Sequence, residues 1–160
     1  MTILDRVLEK QILQKLSANK VVVLLGARRI GKTVLLTQVM GQLDSPYLFL
    51  NGEDFETIEL LERRSIQHYI SILGDRNILI IDEAQKVPEI GKILKLIVDG
   101  IKGIKILVTG SSAFDISKFT GEPLTGRKKT FYMFPLSERE LSQIEGPVEQ
   151  RANLREIGLW

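Results

Sequence analysis

The sequence predicts an α/β fold, with a mainly parallel five-stranded sheet between two layers of helices. Three observations predict it. Apolar runs of strand length alternate with segments of helical periodicity along most of the chain. The first run, Val21 to Leu25, is apolar without a break, as a parallel strand covered on both faces must be. A glycine-bearing loop, Gly26-Ala27-Arg28-Arg29-Ile30-Gly31-Lys32-Thr33, joins that run directly to an amphipathic helix. Strands alternating with helices imply right-handed crossovers between parallel neighbours.

The elements follow in order. Residues 2–17 read as a helix, with Thr2 and Asp5 at capping-box spacing and Leu4, Leu8 and Ile12 on one stripe. Residues 20–25 are the first strand. Residues 32–43 form a helix that buries Leu35, Leu36, Val39, Met40 and Leu43. Pro46 introduces a second strand, Tyr47 to Leu50, which ends at Asn51-Gly52. Residues 54–73 read as one or two helices. Asn77 to Ile81 is the third strand and runs into Asp82-Glu83. After Pro88, the stripe Ile90, Ile93, Leu94, Ile97, Val98 and Ile101 is the clearest helical pattern in the chain.

Ile104 to Val108 is the fourth strand and leads into Thr109-Gly110-Ser111-Ser112. Residues 113–118 suggest a short helix. Glu122 to Gly126 is a turn, and Lys129 to Phe134 a fifth strand. Ser137 to Glu140 is a capping box, with Leu136 and Leu141 placed for a hydrophobic staple. The segment to Trp160 reads as helical but weakly patterned. No repeat, low-complexity tract or linker interrupts residues 1–160, so they read as a single domain.

The loop fits G-x-x-x-x-G-K-[ST], the phosphate-binding P-loop, a match that chance gives roughly once in a few hundred chains of this length. Gly26 and Gly31 allow positive φ and a close approach of backbone to phosphate. Backbone N–H groups of the loop and of the helix start form an anion site. Lys32 supplies a charge for the β- and γ-phosphates, and Thr33 a hydroxyl for Mg²⁺. The nucleotide-binding candidates are therefore Gly26, Ala27, Arg28, Arg29, Ile30, Gly31, Lys32, Thr33 and Val34. Arg28 and Arg29 occupy variable positions of the motif, with either nucleotide or the neighbouring strand end within reach.

Ile78-Leu79-Ile80-Ile81-Asp82-Glu83 is the second motif, about 49 residues beyond Thr33. Asp82 at a strand's C-terminal edge stands where ligands bind in open α/β sheets and can hold Mg²⁺. Glu83 can orient and deprotonate a water aimed at the γ-phosphate. The pair favours ATP hydrolysis. A guanine-reading N-K-x-D loop has no suitable match, and no arginine-rich lid of a small-molecule kinase stands out. Thr109 can face both phosphate and water only if the fourth strand lies between the first and third. Ser111 and Ser112 have an equally good reading as a turn or helix cap. Arg127, just before the fifth strand, is a candidate for stabilising transferred phosphate. It is equally a surface arginine beside Lys128 and Lys129.

Composition narrows the function classes. The chain has 160 residues, 44% hydrophobic and 26% charged, which is ordinary for a globular domain. A net charge of +2 is too small to argue for nucleic acid. There is no cysteine, so disulfides, thiol nucleophiles and cysteine-ligated zinc are excluded. His68 is the single histidine, which removes Ser-His-Asp chemistry and His-based metal sites. Charged residues at 5, 6, 9 and 10 break any signal-peptide core, and no apolar run is long enough for a bilayer. The reading is a soluble cytoplasmic protein with no membrane contact.

GARRIGKT, IIDEAQKVP, LVTGSSAF and LTGRKKTFYMFPLSERE, in that order, resemble the ATPase domain of a bacterial and archaeal AAA-type P-loop family. The resemblance spans about residues 15–141. It implies the P-loop NTPase three-layer sandwich with an ASCE sheet order of 5-1-4-3-2. It implies Lys32 and Thr33 on phosphate and Mg²⁺, Asp82 on Mg²⁺, Glu83 as base and Thr109 as sensor. It further implies a C-terminal domain beyond residue 160, so that the chain is the N-terminal part of a longer protein. An arginine at the position of Arg127 commonly faces a neighbouring subunit's nucleotide in AAA-like assemblies, which points to a homo-oligomer.

The resulting expectation is an ATPase using ATP and Mg²⁺, whose nucleotide state drives motion of a partner or of the C-terminal domain. DNA and protein are the candidate clients. The alternative is a slow regulatory switch that holds ATP or ADP and turns over rarely.

Overall fold

A computed structural model describes residues 3–26, 31–111 and 124–133. The expectations on residues 113–118, on the capping box at Ser137 and on the segment to Trp160 lie outside the described residues.

The five strands are β1 (Lys20–Gly26), β2 (Tyr47–Asn51), β3 (Ile78–Asp82), β4 (Lys105–Ser111) and β5 (Lys128–Met133). They form one sheet in the order β2-β3-β4-β1-β5, with every neighbouring pair parallel. This is the expected 5-1-4-3-2 order. The strand that leads into the P-loop, β1, and the strand of Asp82, β3, are not neighbours. β4 separates β1 from β3, which is the ASCE arrangement and not that of kinases and GTPases.

The uninterrupted apolar runs divide by period two between two cores. Val21, Val23, Leu25, Leu79, Ile81, Ile106 and Val108 face one layer of helices. That layer holds α3 (Phe55–Glu62), α4 (Ile66–Leu73) and α5 (Ile90–Gly100). Val22, Leu24, Ile78, Ile80, Leu107 and Phe131 face α1 (Ile3–Lys15) and α2 (Lys32–Gly41). A residue of either parity is buried, so these strands show no apolar–polar alternation.

Helix faces follow the same logic. In α5, Ile90, Ile93, Leu94, Ile97 and Val98 are buried at i, i+3, i+4, i+7 and i+8. The segment 54–73 resolves into two helices. Arg64 adopts a left-handed φ of 51°, and the Ser65 hydroxyl then caps α4 by accepting from the His68 N–H at 3.2 Å. Between these helices the Tyr69 hydroxyl donates to the Leu61 carbonyl at 2.5 Å. Burial raises its pKa above the usual tyrosine value, which keeps it a donor.

Two strands run further than the apolar pattern indicates. Thr109, Gly110 and Ser111 continue β4 in register with Leu24, Leu25 and Gly26. Asp82 ends β3 opposite Asn51. Ladder pairing uses backbone groups, so polar side chains at a strand's end do not stop it. Asn19, at φ 58°, ties the far edge together. Its amide donates to the Val98 and Ile101 carbonyls at 2.8 and 2.9 Å, and its carbonyl accepts from the Gly103 N–H at 2.9 Å.

Candidate functional site

The C-terminal edge of the sheet brings four polar side chains into burial: Lys32, Asp82, Thr109 and Ser111. Each arrives from a different local cause. Gly31 takes φ 95°, a left-handed conformation that costs other residues about 1–2 kcal/mol, and starts α2 at Lys32. Gly26 is the last residue of β1, in register with Ser111 and Met133. Of these two glycines, Gly31 is the one with the positive φ, while Gly26 belongs to the strand. Ala27, Arg28, Arg29 and Ile30 lie outside the described residues.

Lys32 is only 5% exposed. Its ammonium donates to the Gly26 and Gly110 carbonyls, each at 2.9 Å, and lies 3.6 Å from Glu83 Oε1. The lysine is thus held across three strand ends. Thr33 and Val34 are exposed at the start of α2, Val34 at 55%.

Asp82 and Glu83 form a tightly made corner. The Thr109 hydroxyl donates to Asp82 Oδ1. It accepts from the Glu83 N–H at 3.0 Å, and that N–H also lies 3.1 Å from Asp82 Oδ1. Glu83 itself is left-handed, at φ 50° and ψ 46°. Such a conformation in a non-glycine residue persists only where its surroundings determine it. Here they include the Gly52 N–H, which donates to the Asp82 carbonyl at 2.7 Å, and the Lys86 N–H, which donates to the Glu83 carbonyl at 3.1 Å. The strained backbone turns the Glu83 carboxylate back over the sheet edge, toward Lys32.

Two expectations need correction. Thr109 sits on the central strand as anticipated, but its fully buried hydroxyl is committed to the Asp82–Glu83 corner and does not stand open to phosphate and water. What β4 offers Lys32 is the Gly110 carbonyl. Arg127 lies at the opposite edge of the sheet. Its carbonyl accepts from the Val21 N–H at 2.8 Å, and its guanidinium pairs with Asp99. A strand of this length spans roughly 20 Å, so Arg127 cannot act on a nucleotide held by Lys32 of the same chain. A residue that precedes a parallel strand is necessarily at the edge away from the ligand-binding end.

The structure also adds two residues. Gln85, in a 3-10 turn at Ala84–Lys86, is 5% exposed and donates from Nε2 to Glu83 Oε2 at 2.8 Å. Its place two residues after Glu83 within the DEAQ run was a usable signal. Gly52 packs against the same corner so closely that an added Cβ would lie 2.2 Å from the Glu83 carbonyl oxygen. Nothing in its local sequence distinguishes it from an ordinary turn glycine.

The AAA domain family matches residues 18–142. The chain belongs to that family. This AAA domain is 33% identical to an uncharacterized protein of Methanocaldococcus jannaschii, over 84% of the chain and 31% of the relative. It is 27% identical to an uncharacterized protein of Mycobacterium tuberculosis, over 76% of the chain and 26% of the relative. The chain spans about a third or less of the length of these curated relatives. Among solved structures, the flagellar accessory protein FlaH of M. jannaschii is similar at 12% identity with a TM-score of 0.49, over 78% of this chain and 75% of that one. Family membership supports nucleotide binding by this AAA domain. Among the described residues no helix is long and apolar enough to cross a membrane.

The site also fits a magnesium ion of the kind that nucleotides bring. Among the described residues no three acidic or histidine side chains converge as a protein-only cage would require. Mg²⁺ in nucleotide sites is instead held by one or two protein ligands plus phosphate. Asp82 Oδ1 is occupied by Thr109 and Glu83, while no donor among the described residues reaches Oδ2.

Proposed function

We propose that this AAA domain binds ATP with Mg²⁺ and hydrolyses it, and that the cycle drives a conformational change in a partner or in the remainder of a longer protein. The observation that carries the reading is the Lys32–Glu83 pair at 3.6 Å, set beside Asp82 at the C-terminal edge of the sheet. It joins a cation suited to phosphate with a carboxylate suited to activating water.

Lys32 would exchange its contact with Glu83 for β- and γ-phosphate oxygens while keeping the carbonyls of Gly26 and Gly110. Positioned by two carbonyls, it needs little reorganisation when charge develops on the transferred group. Glu83, released from the lysine, would take a proton from water as the water oxygen bonds to the γ-phosphorus. The bond from that phosphorus to the ADP oxygen breaks, and inorganic phosphate and ADP leave. Asp82 Oδ2 and the Thr33 hydroxyl would hold Mg²⁺, which neutralises charge on the phosphates when bound. Any part for Arg127 is confined to the nucleotide of a neighbouring subunit, which makes a homo-oligomer its precondition.

One observation favours the slower alternative, a regulatory switch. Both oxygens of Glu83 are engaged, one by Lys32 and one by Gln85, so the base must be freed before each turnover. A switch would retain ADP through purification, whereas a motor would turn over repeatedly and respond to its client. The deciding experiment measures phosphate release with ATP and Mg²⁺ for the wild type and Glu83→Gln. Retained ATP binding with a fall of about 10²–10⁴-fold in hydrolysis is expected. Equal rates in the two proteins would remove Glu83 from the chemistry.

A further inference from the structure

Gln85 is a buried amide with only one of its ends in use. Its Nε2 donates to Glu83 Oε2 at 2.8 Å. Its Oε1 is buried and accepts no hydrogen bond among the described residues. The orientation of the amide is settled by chemistry, because the ionised carboxylate accepts and cannot donate, so the NH₂ end must face it. The carbonyl oxygen is therefore the end without a donor. A buried acceptor left unpaired is costly, and such groups in folded proteins mark missing water, strain or a catalytic part. Gln85 sits in the turn whose backbone is tied to Glu83, with the Lys86 N–H on the Glu83 carbonyl at 3.1 Å, so its place relative to the base is fixed.

We propose that Gln85 positions the attacking water: its Oε1 accepts one hydrogen of the water whose other hydrogen is directed at Glu83. This inference rests on the hydrolytic reading above and gives that reading its water site. With both hydrogens assigned to acceptors that the protein holds, a lone pair of the oxygen is left for the γ-phosphorus. In the step, the proton directed at Glu83 passes to its carboxylate. The oxygen–phosphorus bond forms, and the phosphorus–oxygen bond to ADP breaks. The hydrogen on Gln85 stays with the phosphate product. Gln85 exchanges no proton, since an amide neither takes nor gives one at neutral pH.

The test uses the full chain and Gln85→Met, which keeps the length of the side chain and removes both polar ends. Turnover at saturating ATP should fall by about 10²-fold, with ATP affinity unchanged. The melting temperature should change little, because the hydrogen bond lost to Glu83 is offset by removal of the unpaired buried carbonyl. A brace without catalytic contact predicts a different pattern, in which melting temperature and ATP affinity fall together with rate. That pattern overturns the proposal, as does an unchanged turnover.

Gln85→Met combined with Glu83→Gln should be no slower than Glu83→Gln alone, because both groups act on one water. Additive losses would count against a shared water. If Gln85→Met does not fold, Gln85→Asn withdraws the amide by one methylene and carries the same readouts. The two readings fail separately. Wild-type hydrolysis that Glu83→Gln abolishes and Gln85→Met spares rejects only the role of Gln85. A wild type indistinguishable from Glu83→Gln rejects the hydrolytic reading itself.

Discussion

Lys32 and Glu83 face each other at 3.6 Å across the end of β4, although their own strands are not neighbours. The interposed strand contributes a carbonyl, from Gly110, to the same ammonium. The lysine's charge is therefore balanced entirely from the protein, and a bound triphosphate must compete with Glu83 for it. Phosphate binding and release of the base are in this way one exchange.

The exchange yields a prediction about Lys32→Ala. ATP binding should be lost or become very weak by calorimetry, and an unchanged affinity would refute the assignment of the phosphate site. The same substitution leaves the Glu83 carboxylate without its cation in a largely buried position. Stability should fall by about 1–3 kcal/mol, less than for a fully buried pair because Glu83 retains some exposure. Adding Glu83→Gln to Lys32→Ala should restore part of that loss in urea titrations. A double variant as unstable as the sum of the singles would show that the pair is not coupled.

Gly52 gives a second prediction, and it concerns backbone. An added Cβ would lie 2.2 Å from the Glu83 carbonyl oxygen and 2.9 Å from its carbon, so Gly52→Ala cannot be accepted without moving the corner. Neither atom belongs to a flexible side-chain end that could swing aside. We expect a loss of about 1–3 kcal/mol in stability from overpacking. Hydrolysis should fall more than ATP affinity, since the displaced residue carries the base while Lys32 stands at the start of α2. An alanine variant with wild-type turnover would mean that the left-handed Glu83 conformation is not needed for the chemistry.

The contrast between Gly52 and Val21–Leu25 shows what the sequence could disclose. An apolar run without alternation identifies a parallel strand wherever it occurs, because both its faces must be covered. The full strand order came from the family resemblance, and the central place of β4 also from a functional argument: Thr109 can face both phosphate and water only from a strand between β1 and β3. The fine structure of the site rests on contacts between segments far apart in the chain. Gln85 looks like a surface residue after two carboxylates, and only the packing of its turn shows it buried. Thr109 was placed on the right strand, but a hydroxyl's partners depend on rotamer and on the left-handed turn at Glu83, which no local pattern announces. The motif order located Arg127 just before β5. Which edge of the sheet that meant had to come from strand direction.

Arg127 supports the last prediction. Its guanidinium pairs with Asp99, whose other carboxylate oxygen accepts from Lys95 Nζ at 2.9 Å. Both residues of the Arg127–Asp99 pair are about 40% exposed, so it contributes no more than about 1 kcal/mol and Arg127→Ala should leave the fold intact. Distance removes it from the nucleotide of its own chain, so dilute Arg127→Ala should bind ATP and hydrolyse it as the wild type does. A trans role makes a separate demand. Hydrolysis per chain should rise with protein concentration in the wild type, by up to about 10³–10⁵-fold at full assembly, and stay flat in Arg127→Ala. Mixing Arg127→Ala with Lys32→Ala should recover activity, because one supplies an intact nucleotide site and the other an intact arginine. Rates that are flat with concentration in both proteins, with no recovery on mixing, would leave Arg127 as one half of a surface ion pair and place it outside the mechanism.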